Sequence, residues 1–154
     1  MKGFFLQNEN MDITEAINRL EIQQLLTTYA TAVDSKNFEK FYSIFTSDAY
    51  IDYTAVGGIA GTPQEIVHYL TRALDHFPNY QHFNSNFDIN FIDHHNATGS
   101  IMCFNPMQTP DGNTFFLGMW YHDKYLKEEG LWKISERVEK SSWNHNVPTS
   151  IKVD

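Results

Sequence analysis

DHHNATGSIMCFNPMQTPDGNTFFLGMWYHDKYLKEEG, residues 93–130, decides the fold. From residue 80 onward no helical period survives. The turn signals DHHN (93–96), TPDGN (109–113) and KEEG (127–130) cut this part of the chain into four long strands. Sequential strands joined by short turns form an antiparallel meander.

Upstream the period changes. Asp12 followed by Glu15 reads as a capping box, and Ile22, Leu25, Leu26, Tyr29, Ala32 and Val33 recur at helical spacing, so a helix is predicted over about 13–34. Phe38, Phe41, Tyr42 and Phe45 predict a shorter second helix ending near Thr46–Asp48. AYIDYTAV (49–56) is rich in β-formers and ends at Gly57-Gly58, which reads as a strand and turn. Thr62-Pro63-Gln64-Glu65 supplies an N-cap, an N1 proline and a box glutamate for a third helix. Its stripe is Ile66, Val67, Leu70, Ala73, Leu74 and Phe77, and Pro78-Asn79 stop it. The order is helix, helix, strand, helix, then four strands, without an internal repeat. This is an α+β chain, and a curved sheet wrapped against its helices leaves a pocket between them.

The 154 residues fit one domain spanning 1–154, with residues 1–11 as a flexible N-terminal segment. A composition 42% apolar and 15% aromatic suffices for a core and an apolar cavity. Nineteen acids against eleven bases give a charge of −8 with no basic cluster, which argues against nucleic acid and anionic membrane as partners. The single cysteine, Cys103, lies in the apolar run IMCF and reads as a buried thiol, fitting a reducing cytoplasm. The apolar run at the amino end, Phe4-Phe5-Leu6, is shorter than the ~7–15 residues of a signal peptide's core. No stretch approaches the ~20 apolar residues of a membrane span. The expectation is a soluble, cytoplasmic protein.

Several short motifs fall in a recognisable order: Tyr29 and Asp34 spaced Y-x4-D, DSKNF (34–38), IDY (51–53), QHF (81–83), ATG (97–99) and YHDKYLKEEGLWKI (121–134). In this order and spacing the chain resembles the SnoaL-like branch of the NTF2-like superfamily, which includes scytalone dehydratase and bile acid 7α-dehydratase. The resemblance spans nearly the whole chain. It implies a cone in which a curved antiparallel sheet wraps around N-terminal helices and encloses a deep aromatic pocket, where an Asp and a His work as a pair. Carried onto this sequence, the pair is Asp34 and His82. A tyrosine of one of these enzymes matches Tyr53 and a tyrosine of the other matches Tyr29. Two positions depart: Val33 stands where scytalone dehydratase has a tyrosine, and Met107 where its middle strand has a polar group. Asn105, close by, matches an acid of the bile acid enzyme.

Dehydration α,β to a carbonyl needs a base for the acidified C–H proton, an acid for the departing hydroxyl, and donors for the enolate oxygen. His82 can serve as base and acid, because imidazole changes charge near neutral pH. Asp34 can fix its tautomer and stabilise the imidazolium. Tyr29 or Tyr53 can polarise a carbonyl. Asn105, Met107 and Trp120 are the substrate-binding candidates, and no cofactor or metal is called for.

Plainer readings stand beside these. Asp34 could cap the second helix, since at ~100° per residue it lies well off the apolar stripe of the first. His82 could be a satisfied half-buried histidine, Tyr29 and Tyr53 core aromatics, and Asn105 a strand residue bonding a neighbouring main chain. His94-His95 read as a solvated turn, while His122 and His145 stay unplaced. Three functions follow: a cofactor-independent lyase or isomerase of dehydratase type acting on a small hydrophobic cyclic or polyketide-like molecule; a non-catalytic binding or dimerisation domain; and a polyketide cyclase or epoxide hydrolase. Trp120, Trp132 and Trp143 read as core packing or a subunit interface, and the exposed outer face of a curved sheet with tryptophans on its last strands predicts a homodimer.

Overall fold

The structure, a computed structural model, describes residues 12–151. The flexible segment expected over residues 1–11 lies outside the described residues. Helix α1 spans Ile13–Asp34 and buries Ile22, Leu26, Tyr29, Ala32 and Val33. Its start differs from the expected capping box. The Asp12 side chain makes no capping bond, and the Glu15 carboxylate, the other half of the box, is engaged one turn further on by Arg19 at 2.8 Å. The same guanidinium donates to the Ile89 carbonyl on the sheet.

The second helix is much shorter than its aromatic spacing suggests. A single 3-10 turn at Phe38–Lys40 leads into α2, Phe41–Ile44, and the backbone is extended from Phe45 on. Extension does not cost Phe45 its packing, since its ring still lies 5.2 Å from that of Phe41. Strand β1 accordingly occupies Phe45–Asp52 rather than 49–56. It stops where the Asp52 carboxylate accepts from both the amide and the hydroxyl of Thr54, at 2.9 and 2.6 Å. Such side-chain bonds offer the backbone an alternative to the ladder. Thr54–Val56 becomes a 3-10 turn, and the chain returns as the two-residue strand β2, Ala60–Gly61.

Helix α3, Pro63–Ala73, starts as read: Thr62 and Glu65 form a reciprocal capping box with Pro63 in the first turn. It buries Ile66 and Leu70, and a 3-10 turn carries it on to bury Leu74. After it come β3 (Asn79–Tyr80), β4 (Phe83–Phe91), β5 (Asn96–Gln108), β6 (Thr114–Glu128) and β7 (Leu131–His145). All three turn signals fall between the long strands.

Among the described residues the strands form one seven-stranded sheet. β4 to β7 are the expected antiparallel meander. β1 is inserted parallel to β7 and makes the sheet mixed. β3 and β4 share one edge of β5, pairing with its end and its middle in turn. The sheet curls strongly around the helices in an NTF2-like α+β cone. Its concave side buries Ile101, Cys103, Phe115, Met119 and Tyr121 against α1, α2 and α3. Cys103 is a buried free thiol, as expected. No helix among the described residues is long and apolar enough to cross a membrane.

The core also holds a fully buried ion pair, Arg137 with Asp123, at 2.8 and 2.6 Å through two prongs. The guanidinium lies between the rings of Tyr29 and Tyr121, 4.1 Å from each. Removing one partner of such a pair leaves an uncompensated buried charge. Asp123→Ala should therefore lose about 3–5 kcal/mol in urea unfolding, far more than a surface acid. A loss below about 1 kcal/mol would show that the pair does not hold the sheet to α1.

Candidate active site

The end of α1 determines where the site can form. The helix closes in a Schellman arrangement: the Asn37 amide bonds Ala32 O at 2.8 Å, the Lys36 amide bonds Val33 O at 3.0 Å, and Lys36 sits at φ 56°. The last helical residue, Asp34, is thereby fixed against β3, where the Tyr80 hydroxyl donates to Val33 O at 2.9 Å. Asp34 caps no second helix. Its carboxylate takes two bonds from one residue, the His82 amide at 3.1 Å and the ring Nδ1 at 2.7 Å.

Pro106 explains why His82 is free to do this. Tyr80 pairs with Met107 and Phe83 with Phe104, so Gln81 faces Pro106 and His82 faces Asn105. The Gln81 amide donates to Pro106 O at 3.2 Å, but proline has no N–H to return. The Asn105 side chain supplies the missing donor, bonding Gln81 O at 2.7 Å. One residue on, the alternation of an antiparallel ladder turns the His82 amide away from β5. It points at the end of α1. His82 is thus held by its amide, by Nδ1 and through the carbonyl before it, while Nε2 makes no hydrogen bond among the described residues. With Nδ1–H donated to a carboxylate, the Nε2 lone pair is left as the basic atom.

His82 lines a cavity of about 460 Å³ between α1, α3 and the concave sheet face. Its walls are largely apolar, with Val33, Leu70, Leu74, Phe77 and Met119 among them. Asp34 does not line it. That carboxylate stands behind the imidazole, on a groove that also exposes Lys36 and Gln81. Tyr29 and Tyr53 both line the cavity, buried and joined hydroxyl to hydroxyl at 2.7 Å. Burial pushes both phenols up, so they are neutral donors. Their mutual bond uses one hydroxyl hydrogen and leaves the other free.

Of the remaining expected residues, Asn105 and Met107 line the cavity. Trp120 does not. It alternates with Met119 and Tyr121, whose side chains are buried on the concave side, and so stands on the outer face. His122 and His145 are exposed, the latter stacked on Phe116. His94 and His95 are exposed in a turn closed by Asp93. Among the described residues no three His, Cys, Asp or Glu side chains cluster to hold a metal ion.

One residue of the cavity has no counterpart in the sequence reading. Glu139, on β7, lines the cavity, is 5% exposed, and its Oε2 is buried without a hydrogen-bond partner among the described residues. Desolvation pushes its carboxyl up to about 8, against the pull of Arg137, with Asp123 and Asp52 adding to the rise. A signal existed in the alternation of ERVEK, but a bulge reverses its phase. Trp132 and Ile134 face inward, the register shifts after Ile134, and Arg137 and Glu139 then face inward in place of Glu136 and Val138.

The SnoaL-like domain family matches residues 14–138. An uncharacterized protein of Mycobacterium tuberculosis is 39% identical over 136 residues, 87% of this chain and 92% of that protein. Among solved structures, a scytalone dehydratase-like protein of Novosphingobium aromaticivorans superposes with a TM-score of 0.79 at 18% identity, covering 91% of this chain and 94% of that one. A hexachlorocyclohexane dehydrochlorinase, LinA-type3 of Novosphingobium barchaimii, gives 0.77 at 17% identity, covering 89% and 99%. The chain belongs to the SnoaL-like family.

The raised carboxyl of Glu139 has a consequence for stability. Between the ordinary carboxylate range and about 8 the folded chain holds a proton that the unfolded chain has released, so Glu139 makes stability fall as pH rises. Urea unfolding at about pH 5 and again at about pH 8.5 should show wild type losing more stability than Glu139→Gln over that interval, by up to several kcal/mol. Equal losses would mean that Glu139 is ionised in the folded chain.

Proposed function

We propose that this SnoaL-like chain is a cofactor-independent lyase or isomerase that eliminates water, or shifts a proton, in a small hydrophobic cyclic or polyketide-like molecule. The observation that carries the reading is the 2.7 Å bond between Asp34 and His82 Nδ1 at the wall of an apolar cavity. It leaves the second ring nitrogen of this cavity-lining histidine without a bond among the described residues.

In this reading Nε2 of His82 takes the proton from the carbon next to a carbonyl, and the electron pair moves onto the carbonyl oxygen. Asp34 holds the ring and stabilises the imidazolium. The free hydroxyl hydrogen of the Tyr29–Tyr53 pair bonds the oxygen as its charge grows. His82, now protonated, can return the proton to a departing hydroxyl on the same face or to another carbon of the ring, giving dehydration or isomerisation. The names of the two fold neighbours, a dehydratase and a dehydrochlorinase, both describe eliminations and favour this class.

A carrier or dimerisation module has less support, because such a role needs neither an oriented imidazole nor an open cavity beside it. An epoxide hydrolase gains from Glu139 as a second carboxyl group, yet a carboxyl held protonated does not activate water. A homodimer through the outer sheet face belongs to the same proposal: Phe83 and Trp143 are exposed there, and Phe104 stacks on Phe116 and Trp143. Sedimentation of the full chain should give two protomers, and a monomer at high concentration would end that part of the reading.

A panel of cyclic β-hydroxy ketones, followed by the ultraviolet absorbance of the conjugated enone, tests the chemistry. His82→Ala should lower kcat/KM by about 10²–10⁴-fold with an unchanged circular dichroism spectrum, and Asp34→Asn should also impair it. Turnover undiminished in His82→Ala would sink the assignment.

A further inference from the structure

We propose that Glu139 donates its carboxyl O–H, together with the free hydroxyl hydrogen of the Tyr29–Tyr53 pair, to one oxygen of the ligand, and that this oxygen belongs to a ketone, enol or phenol. The inference rests on the proton-transfer reading above for its catalytic meaning, but the binding site stands on its own observations. Glu139 lines the cavity with Tyr29 and Tyr53, and its Oε2 is sealed from solvent with no partner among the described residues. A buried carboxyl oxygen without a partner costs free energy. A ligand oxygen at that end of the cavity removes the cost.

The groups around Glu139 make it a donor rather than a carboxylate. Those that act on it or on which it acts are Arg137 on its own strand, Asp123 and Tyr121 on β6, Cys103 on β5, Asp52 on β1, Tyr53 just beyond it, Tyr29 on α1 and Tyr69 on α3. Only Arg137 is a cation; Asp123 binds it through Nε and Nη2, and its Nη1, though buried without a partner among the described residues, makes no bond to Glu139. The thiol and the phenols are neutral, their ionisation opposed by burial. Burial with no cation bonded to it leaves Glu139 in its neutral form, in line with the rise of its carboxyl against the opposing pull of Arg137.

The same surroundings decide the ligand class. Among the described residues no lysine or arginine lines the cavity, and a ligand carboxylate at this end would sit near the acids Asp52 and Asp123. A neutral oxygen that gains charge only partially, on an otherwise apolar ring, fits three neutral groups and apolar walls. During proton transfer it is the oxygen that becomes the enolate, and a site complementary to that species binds a stable mimic of it tightly.

2-Naphthol and naphthalene, the same rings with and without the oxygen, are suitable probes, titrated against the full chain by fluorescence. Wild type should prefer 2-naphthol by about tenfold or more. Glu139→Leu should abolish that preference while naphthalene affinity changes by less than about twofold, and Glu139→Gln, which keeps an N–H donor, should fall between. Should Glu139→Leu fail to fold, as loss of naphthalene binding would reveal, Glu139→Gln carries the comparison. No preference in wild type, or a full preference in the variants, overturns the proposal. His82→Ala should leave the preference intact, so a failure of the base assignment and a failure of this site register in different measurements.

Discussion

A ladder that cannot be completed is the constraint on which the site depends. Pro106 removes one donor from the edge of β5, and the strand beside it is split into β3 and β4 around Gln81 and His82. Left alone, a carbonyl without its donor would weaken that edge. Asn105 repairs the ladder from the side chain, and Asp34 takes the outward amide of the next residue. The two repairs fasten one short piece of backbone from both sides. They also set the His82 ring against a carboxylate at a bonded distance, which a loop histidine would meet only part of the time.

The helix end is the other half of that constraint. An acid in the last turn of a helix is disfavoured by the dipole by roughly 0.3–1 kcal/mol. Asp34 bears this because two donors converge on it, one of them an imidazole that can become a cation. The Schellman closure at Lys36 and the Tyr80 bond to Val33 O fix where the helix stops. A helix one residue longer or shorter would rotate the acid by ~100° and break the pair. Position at the helix end therefore follows from backbone bonding, not from the apolar stripe of α1.

Much of this was legible in the chain. The three turns, the Thr62 capping box, the extent of α1 and the candidates Asp34, His82, Tyr29, Tyr53, Asn105 and Met107 could all be named from residues and from a family resemblance. The failures share a physical origin, which is competition that a single sequence does not display. Arg19 engages the Glu15 carboxylate that the Asp12 box would use, and Asp52 bends β1 away one residue before Tyr53. Trp120 was assigned inward although strand alternation beside Met119 and Tyr121 places it outside. Glu139 was invisible for the opposite reason: alternation counted from Trp132 and Ile134 points it outward, and only the bulge after Ile134 brings it in.

Glu139 and Asp34 are two acids in different surroundings, one inside the cavity and one behind its wall. Asp34 stands outside the cavity, with a quarter of its side chain exposed and two donors on it. Glu139 stands inside, 5% exposed, beside a cation already committed to Asp123. Moving a carboxylate into such a place costs several kcal/mol even after relaxation, which the Arg137 field at one remove does not offset. The Asp34 carboxylate therefore stands behind the histidine, while the neutral donors line the cavity itself, Glu139 from β7, three strands from β3, Tyr29 from α1 and Tyr53 from the end of β1. In the proposed reaction that separation would orient the substrate: the base backed by Asp34 would take the proton, and the oxygen that gains charge would meet the neutral donors.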